Sequence, residues 1–292
     1  MCDEDTVIES NSYLAQGTKM GRRDFNKLAV GAAAILMLPP VANALEVVGH
    51  DVMVNTPDGD ADCYFVHPAK GKHPGVIIWP DILGLRPAFR LMGERLAKSG
   101  YSVLVVNPYY RSARSPVIEP GASFQDAETR NMVMPYYSAL SAETNVTDAK
   151  AYVSYLDAQN SVDVKRKIGT TGYCMGGPMV MRTAAAIPER IGVGGSFHGS
   201  GLVTNDAESP HLLIKNMQAD LLIAVAANDD ERAPNDKEVL RKTAAKYGLK
   251  AEIEVYEGAM HGWCPPDSRV YHEKQAEQAW VRLLHTFENA LG

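Results

Sequence analysis

Short apolar runs alternate with longer stretches of helical periodicity along most of the chain. The apolar runs at 76–79 and 102–106 flank a helical pattern at 87–98, as is typical of central parallel strands that are buried on both faces of a sheet. The complete pattern predicts strands at 46–54, 62–67, 76–79, 102–106, 167–171, 191–197, 221–226 and 251–256, and helices at 87–98, 175–186, 234–247 and 270–290. The first two strands are expected to pair antiparallel across Pro57-Asp58-Gly59, a strong turn signal. The alternation predicts an α/β fold with a mostly parallel central sheet, helices on both faces, and a ligand site at the carboxyl ends of the strands.

The first 44 residues depart from this pattern. The basic segment 21–27, Gly-Arg-Arg-Asp-Phe-Asn-Lys, leads into the apolar run 28–38 and then into Ala42-Asn43-Ala44. A basic, then apolar, then small-residue order is that of a secretory signal with an A-x-A cleavage site. The segment 21–27 resembles the twin-arginine export signal of bacteria, although Ser or Thr is usual at its first position and Leu at its sixth.

We therefore expect residues 1–44 to be a signal segment that is cleaved after Ala44, and residues 45–292 to form a single domain. The expected partner during transport is the twin-arginine export machinery, and the expected location is the periplasm or outside the cell. No stable membrane anchor is expected after cleavage. An uncleaved amphipathic helix or membrane anchor is the alternative interpretation of the same residues.

Composition and charge exclude several classes of function. The chain has 292 residues, of which 46% are hydrophobic and 22% charged, as in ordinary globular proteins. The 29 basic and 35 acidic residues give a net charge of -6, which offers no electrostatic attraction for nucleic acid. We find no metal triad, phosphate loop or nucleotide fingerprint, so no cofactor is expected.

The cysteines do not form a disulfide scaffold. The four are Cys2, Cys63, Cys174 and Cys264, and none belongs to a CxxC pair, so a zinc site of the usual spacing is also excluded. Whether Cys63 and Cys264 pair after export stays open, because spacing alone does not fix their geometry.

The strongest local motif is Gly172-Tyr173-Cys174-Met175-Gly176-Gly177, which lies between a predicted strand and a predicted helix. This G-x-C-x-G-G pattern is a nucleophile elbow with cysteine where serine is commoner. Small residues are needed beside the nucleophile because the turn is tight, and the helix N-terminus favours the thiolate. The alternative is a structural cysteine, since free cysteines are often buried.

A nucleophile of this kind needs a base and an acid in the chain order nucleophile, acid, histidine. Of the eight histidines, His261 alone follows the last predicted strand in a loop rich in turn residues. Two carboxylates, Asp229 and Asp230, follow the strand at 221–226 and compete for the role of the acid. Distance from the strand favours Asp229, which would accept the imidazole N–H, and leaves Asp230 as a helix-capping neighbour.

Together these residues resemble the dienelactone hydrolase family of the α/β-hydrolase fold, over nearly all of residues 45–292. The segments that carry the resemblance are 79–85, 107–111, 172–177, 196–199, 227–230 and 258–263. The resemblance implies that Cys174 is the nucleophile, His261 the base and Asp229 the residue that orients it. It also implies an oxyanion hole formed by the backbone N–H groups of Met175 and Ile82.

The resemblance implies two further groups near the site. Members of the family place an acid, typically Glu, where Asp81 stands, and this acid contacts the resting thiol. Asp81 is one methylene shorter, so either it still reaches Cys174 or the chain has shifted. The family also holds the substrate carboxylate with an arginine, for which Arg111 fits, and with a second arginine at a position that Pro265 occupies here.

The expected activity is hydrolysis of a small-molecule ester or lactone through a thioester acyl-enzyme. One alternative is a periplasmic carboxylesterase of broad specificity that uses the same three residues. The other alternative is a binding or redox protein in which Cys174 is not a nucleophile.

Overall fold

The computed structural model of the chain describes residues 4–17 and 37–292. The predicted twin-arginine motif and most of the apolar run that follows it lie outside these residues. The described strands are β1 Val47–Thr56, β2 Gly59–Pro68, β3 Gly75–Trp79, β4 Ser102–Val106, β5 Ile168–Tyr173, β6 Ile191–Phe197, β7 Asp220–Ala226 and β8 Ala251–Tyr256. The described α-helices are α1 Glu4–Gly17, α2 Pro87–Lys98, α3 Ala127–Ser138, α4 Ala142–Asp157, α5 Gly176–Ala186, α6 Ala227–Arg232, α7 Asp236–Lys246 and α8 Glu273–Leu291, and a 3₁₀ helix spans Pro210–Asn216.

The described strands form one eight-stranded sheet in the order β1-β2-β4-β3-β5-β6-β7-β8. β1 and β2 pair antiparallel, as predicted, and β2 also runs antiparallel to β4. From β4 to β8 every neighbouring pair is parallel. The carboxyl ends of β3, β5, β6, β7 and β8 consequently meet along one edge of the sheet, and this edge carries the candidate site.

Helices cover both faces of the sheet and enclose two layers of core. On one face α4, α5 and α7 bury residues such as Tyr152, Val180 and Leu240. On the other face α2 and α8 bury Phe89 and Phe287 against the strands. Both faces are therefore buried, which explains why the central strands are continuous apolar runs.

Most predicted strands agree with the structure, and the differences lie in the helices. The sequence pattern did not predict α1, α3, α4 or the short helix α6, which begins directly after β7. The inward stripe of α4 includes the buried polar side chains Asn145 and Asp148, so its apolar periodicity is weak. The helix begins with a capping box in which the N-cap residue Ser141 pairs with Thr144, three residues later. The usual sequence signature of a capping box has Glu or Gln at the position of Thr144, so the start of this helix was not recognised.

The structure answers whether Cys63 and Cys264 pair, which the sequence left open. Cys63 and Cys264 are both free and buried, and they belong to the cores on opposite faces of the sheet, so they do not pair.

The polar segment near the N-terminus forms α1, which packs against the body of the protein through the buried residues Val7 and Ser10. Within residues 4–17 and 37–292, no helix combines the length and the apolar character needed to cross a membrane.

Candidate active site

Cys174 lies in the tight turn between β5 and α5, with a φ of +54°. This left-handed backbone is the strained geometry of a nucleophile elbow. The turn is possible because its glycines let backbone segments approach each other. A Cβ on Gly172 would lie 2.2 Å from the Gly176 carbonyl oxygen, and a Cβ on Gly176 would lie 2.4 Å from that of Trp79. The glycines therefore bring the ends of β3 and β5 together beneath the thiol.

The structure brings Cys174, His261 and Asp229 together at the edge of the sheet. The Nδ1 atom of His261 and the Oδ2 atom of Asp229 are 2.7 Å apart, and the imidazole also forms a side-chain hydrogen bond with Cys174. His261 is buried, in the loop after β8, and Asp229 is in the first turn of α6. Asp230 instead accepts from Lys237 at 2.5 and 2.6 Å. Of the two competing carboxylates, Asp229 is thus the one in contact with the histidine.

The charges of Asp229, His261 and Cys174 stabilise one another. Burial alone would lower the pKa of His261, but the negative charges of Asp229 and Cys174 outweigh burial and raise this pKa to about 10. Burial would likewise raise the pKa of Asp229, yet the neighbouring imidazole lowers it overall. The geometry therefore favours an imidazolium held between a carboxylate and the sulfur.

Asn228 fixes the loop that carries His261, a role that sequence reasoning missed. Its Oδ1 atom accepts the backbone N–H of His261 at 2.8 Å. Its Nδ2 atom donates to Glu9 of α1 at 2.6 Å. Asn228 directly precedes Asp229, so one short segment holds both the backbone and the ring of the histidine.

His198, at the end of β6, is a second residue that sequence reasoning missed. Its Nδ1 atom accepts the backbone N–H of Cys174 at 3.1 Å, and its ring centroid lies 5.1 Å from that of His261. Burial, chiefly, and the nearby His261 lower the pKa of His198 well below its usual value. The ring is therefore neutral, and with Nδ1 accepting, the proton is on Nε2. The position of His198 after a strand, in the segment 196–199 that carries the family resemblance, was the available signal.

The two predicted oxyanion donors flank the thiol. Met175 follows Cys174 in the turn, and Ile82 lines the same cleft in the loop after β3. Among the backbone hydrogen bonds of the described loops and turns, neither N–H donates to a carbonyl. Tyr109 ties the two segments together, because its hydroxyl donates to the Ile82 carbonyl at 2.8 Å and contacts the Met175 sulfur at 3.2 Å.

Asp81 lines the cleft beside Cys174, but both of its carboxylate oxygens bind Arg86. The distances from the guanidinium nitrogens to Oδ1 and Oδ2 are 2.7 and 2.9 Å. Burial raises the pKa of Asp81 above its usual value; Arg86 opposes this shift, whereas Asp267 and Cys174 add to it. The same Arg86 also pairs with Asp267, at 2.6 and 2.9 Å. Neither Arg86 nor Asp267 was identified from the sequence.

Arg111 does not lie where the family resemblance placed it. Its guanidinium binds Asp148 at 2.7 and 2.8 Å and Asp58 at 2.6 and 3.0 Å, and it is absent from the lining of the cleft. The structure therefore does not bring Arg111 to the cleft, and its expected contact with a substrate carboxylate is not seen among the described contacts. The buried carboxylate of Asp148 on α4, a helix that the pattern did not predict, draws the arginine away.

The cleft has an apolar wall and a charged floor. Its apolar lining includes Ile82, Leu83, Phe124 and, from the N-terminal helix α1, Val7. Across the described part of the chain, no group of three or more His, Cys, Asp or Glu side chains could hold a metal ion.

A mostly parallel sheet with a strand-turn-helix elbow at its carboxyl edge defines the α/β-hydrolase fold. A Klebsiella pneumoniae protein with the provisional name dienelactone hydrolase shares it, with a TM-score of 0.73 at 22% identity over 83% of this chain and 99% of that chain. A dienelactone hydrolase-like promiscuous phosphotriesterase from metagenomic libraries gives a TM-score of 0.69 at 19% identity, over 84% and 99%.

Sequence comparison then identifies the family. A model of the dienelactone hydrolase family matches residues 61–291. A Synechocystis sp. protein with the provisional name carboxymethylenebutenolidase is 29% identical over 233 residues, which cover 78% of this chain and 91% of the relative. The chain belongs to the dienelactone hydrolase family, and it is a hydrolase of ester or lactone bonds.

Proposed function

We propose that the protein hydrolyses a small-molecule ester or lactone by nucleophilic catalysis, with Cys174, His261 and Asp229 as the catalytic triad. The observation that carries this proposal is the hydrogen-bonded chain from Asp229 through His261 to Cys174 at the carboxyl edge of the sheet. The name of the Synechocystis relative, carboxymethylenebutenolidase, favours a lactone ring among the possible substrates. The carboxylate of that relative's substrate is not part of this proposal, because Arg111 pairs with Asp58 and Asp148.

The thiolate of Cys174 attacks the carbonyl carbon, and the charge moves to the carbonyl oxygen. The backbone N–H groups of Met175 and Ile82 stabilise this oxyanion. As the carbon–oxygen bond breaks, His261 gives its proton to the departing alkoxide, and a thioester remains. The histidine then takes a proton from water as the water oxygen attacks the thioester carbon. The carbon–sulfur bond breaks, Cys174 leaves as the thiolate beside the His261 imidazolium, and the product leaves as a carboxylic acid that loses its proton to solvent. Asp229 keeps the imidazole in the required orientation and tautomer.

Replacing the nucleophile tests the proposal. We expect Cys174→Ala to abolish hydrolysis of activated esters and lactones, and Cys174→Ser to retain at most a trace, because a serine hydroxyl stays protonated where a thiol ionises. Hydrolysis of a 4-nitrophenyl ester and of a lactone by the purified chain is the measurement. Thermal unfolding should change little, since the substitution removes a small side chain from the cleft floor.

The matched control is Cys63→Ala, which removes a thiol from β2, in the core of the sheet away from the cleft. This variant should keep its turnover number. Full hydrolysis by Cys174→Ala would contradict the cysteine mechanism, and so would equal losses in the two variants.

We further propose that the protein is exported to the periplasm by the twin-arginine route and cleaved after Ala44. The exposed turn at Ala42-Asn43 supports an accessible cleavage site. The first residue after it, Leu45, donates its backbone N–H to the Lys98 carbonyl at 3.0 Å, so the fold can begin there. Cell fractionation and the mass of the exported chain test this: replacement of Arg22-Arg23 by lysines should block export, and an exported chain beginning at Met1 would contradict cleavage.

A further inference from the structure

The charged floor of the cleft is a cluster of one arginine and two aspartates: Arg86 in the loop after β3, Asp81 in the same loop, and Asp267 in the loop after β8. A guanidinium has five N–H donors. Asp81 and Asp267 each accept two of them, at 2.6 to 2.9 Å, and the Gly84 carbonyl accepts the fifth at 3.2 Å. Arg86 has no donor left with which to bind a substrate.

Arg86 is also the single lysine or arginine among the described residues that line the cleft. Its side chain is only 4% exposed. Each aspartate binds the guanidinium through both of its carboxylate oxygens, which favours its ionised form. With both aspartates ionised, the cluster carries one more negative than positive charge. The His261 imidazolium in the same cleft is held between Asp229 and Cys174. A carboxylate on the substrate would therefore find each cation of the cleft already neutralised, and it would lie near like charges in a partly desolvated cleft, which is unfavourable.

We propose, building on the proposed function, that this cleft selects esters and lactones whose acyl part carries no negative charge, and that Asp267 determines this selectivity. Asp267 is the more accessible of the two aspartates, with 26% of its side chain exposed against 13% for Asp81. Asp81 additionally accepts the backbone N–H of Leu83 at 2.9 Å and so shapes the loop that carries Ile82. Asp267 is therefore the member of the cluster that an entering substrate meets first.

A matched pair of substrates tests the inference. 4-Nitrophenyl pentanoate and the mono-4-nitrophenyl ester of glutaric acid have acyl chains of equal length, and only the second ends in a carboxylate, which is ionised at pH 7.5. For the native protein we expect kcat/KM to favour the neutral ester by about tenfold or more. An equal or higher kcat/KM for the half-ester would overturn the inference.

The decisive variant is Asp267→Asn, which keeps one acceptor oxygen for Arg86 but removes the negative charge. We expect it to lower the kcat/KM preference for the neutral ester by roughly tenfold, mainly through a lower KM for the half-ester. The cluster then carries no net negative charge, and one N–H of the guanidinium is free to donate to the substrate carboxylate. The matched control is Asp157→Asn, which removes a carboxylate from a similar pair with Arg190 at the opposite edge of the sheet. This control should leave the ratio unchanged.

A second measurement does not depend on hydrolysis. Iodoacetate and iodoacetamide differ by one negative charge, and mass spectrometry can follow their reaction at Cys174. Asp267→Asn should raise the rate with iodoacetate relative to iodoacetamide about fivefold, whereas Asp157→Asn should not. An unchanged ratio in Asp267→Asn would overturn the inference. Hydrolysis that survives in Cys174→Ala would instead overturn the proposed function, so the two can fail separately.

Discussion

At the scale of single residues, the neighbouring negative charges raise the pKa of His261. Asp229 and Cys174 hold it at about 10 against the effect of burial. Below that pH the imidazolium is present and can protonate a leaving alkoxide, and above it the proton is lost. We therefore expect the alkaline limb of kcat/KM against pH to fall near pH 10, as a property of the coupled groups.

Asp229→Asn should move that limb down by more than one pH unit, towards the ordinary value of about 6.5 for histidine. It should also lower kcat by roughly 10²- to 10⁴-fold, since the amide no longer holds the required tautomer. The control is Asp230→Asn, whose carboxylate pairs with Lys237, and this variant should lose far less. The opposite ranking, measured by ester hydrolysis between pH 5 and 11, would move the role of the acid to Asp230.

The sequence predicts the placement of those site residues that directly follow a strand. Cys174, Asp229 and His261 each follow a predicted strand, and the structure brings them together. Arg86 and Asp267 are 181 positions apart. Their pairing depends on how two loops meet, and no local pattern records that.

At the scale of elements, Arg111 joins the β1–β2 turn to α4. It binds Asp58 of the turn and Asp148 of the helix, and Asp148 also accepts the Tyr110 hydroxyl at 2.8 Å. The side chain of Asp148 is only 3% exposed. Removing the arginine would leave this buried carboxylate without its counter-ion, which typically costs about 3–5 kcal/mol.

Arg111→Met should thus lower the free energy of unfolding by about 3 kcal/mol or more, while the ratio of kcat/KM for neutral and anionic esters stays unchanged. Urea denaturation and the substrate pair above measure the two effects. Asp58→Asn is the control, since its side chain is 44% exposed and such pairs contribute about 0–1 kcal/mol. A selective loss on the anionic ester would restore Arg111 as a substrate-binding residue.

The strands were predicted more completely than the helices because of how each buries its side chains. The central strands are buried on both faces, so every position is apolar or small and the run is conspicuous. Helix α3 has few buried positions and contains Pro135, and α4 turns Asn145 and Asp148 inward. A helix whose inward face is partly polar has no clear 3.6-residue apolar period to detect.

At the scale of the whole molecule, the N-terminal helix α1 forms part of the cleft wall. Val7 and Ser10 line the cleft together with Cys174 and His261, and Glu9 binds Asn228 at 2.6 Å. The alternation of strands and helices was enough to predict the α/β architecture. It gave no indication that the polar segment before the apolar run packs at the site, because that contact depends on a tertiary fit.

A chain that begins at Leu45 should therefore have a more open cleft than the full chain. We expect iodoacetamide to modify Cys174 several-fold faster in the shortened chain, and kcat/KM for a bulky ester to rise, because Val7 and Ser10 no longer restrict entry. A full-length Glu9→Ala variant should show a smaller change in the same direction. Equal alkylation rates in the full and shortened chains would show that α1 does not limit access.

The close backbone approach at the elbow has a consequence for how this protein can acquire new activities. A side chain at Gly172 or Gly176 would meet carbonyl oxygens of the backbone, which cannot swing aside as a flexible side chain can. In a library that varies every position, we expect these two sites to accept no replacement, whatever substrate is used for selection. Variation is then confined to the loops whose side chains line the cleft, which follow β3, β4 and β8. The turn around Cys174 is thus closed to substitution by the backbone beside it, whereas Asp267 lies in a loop where a different side chain can be accommodated.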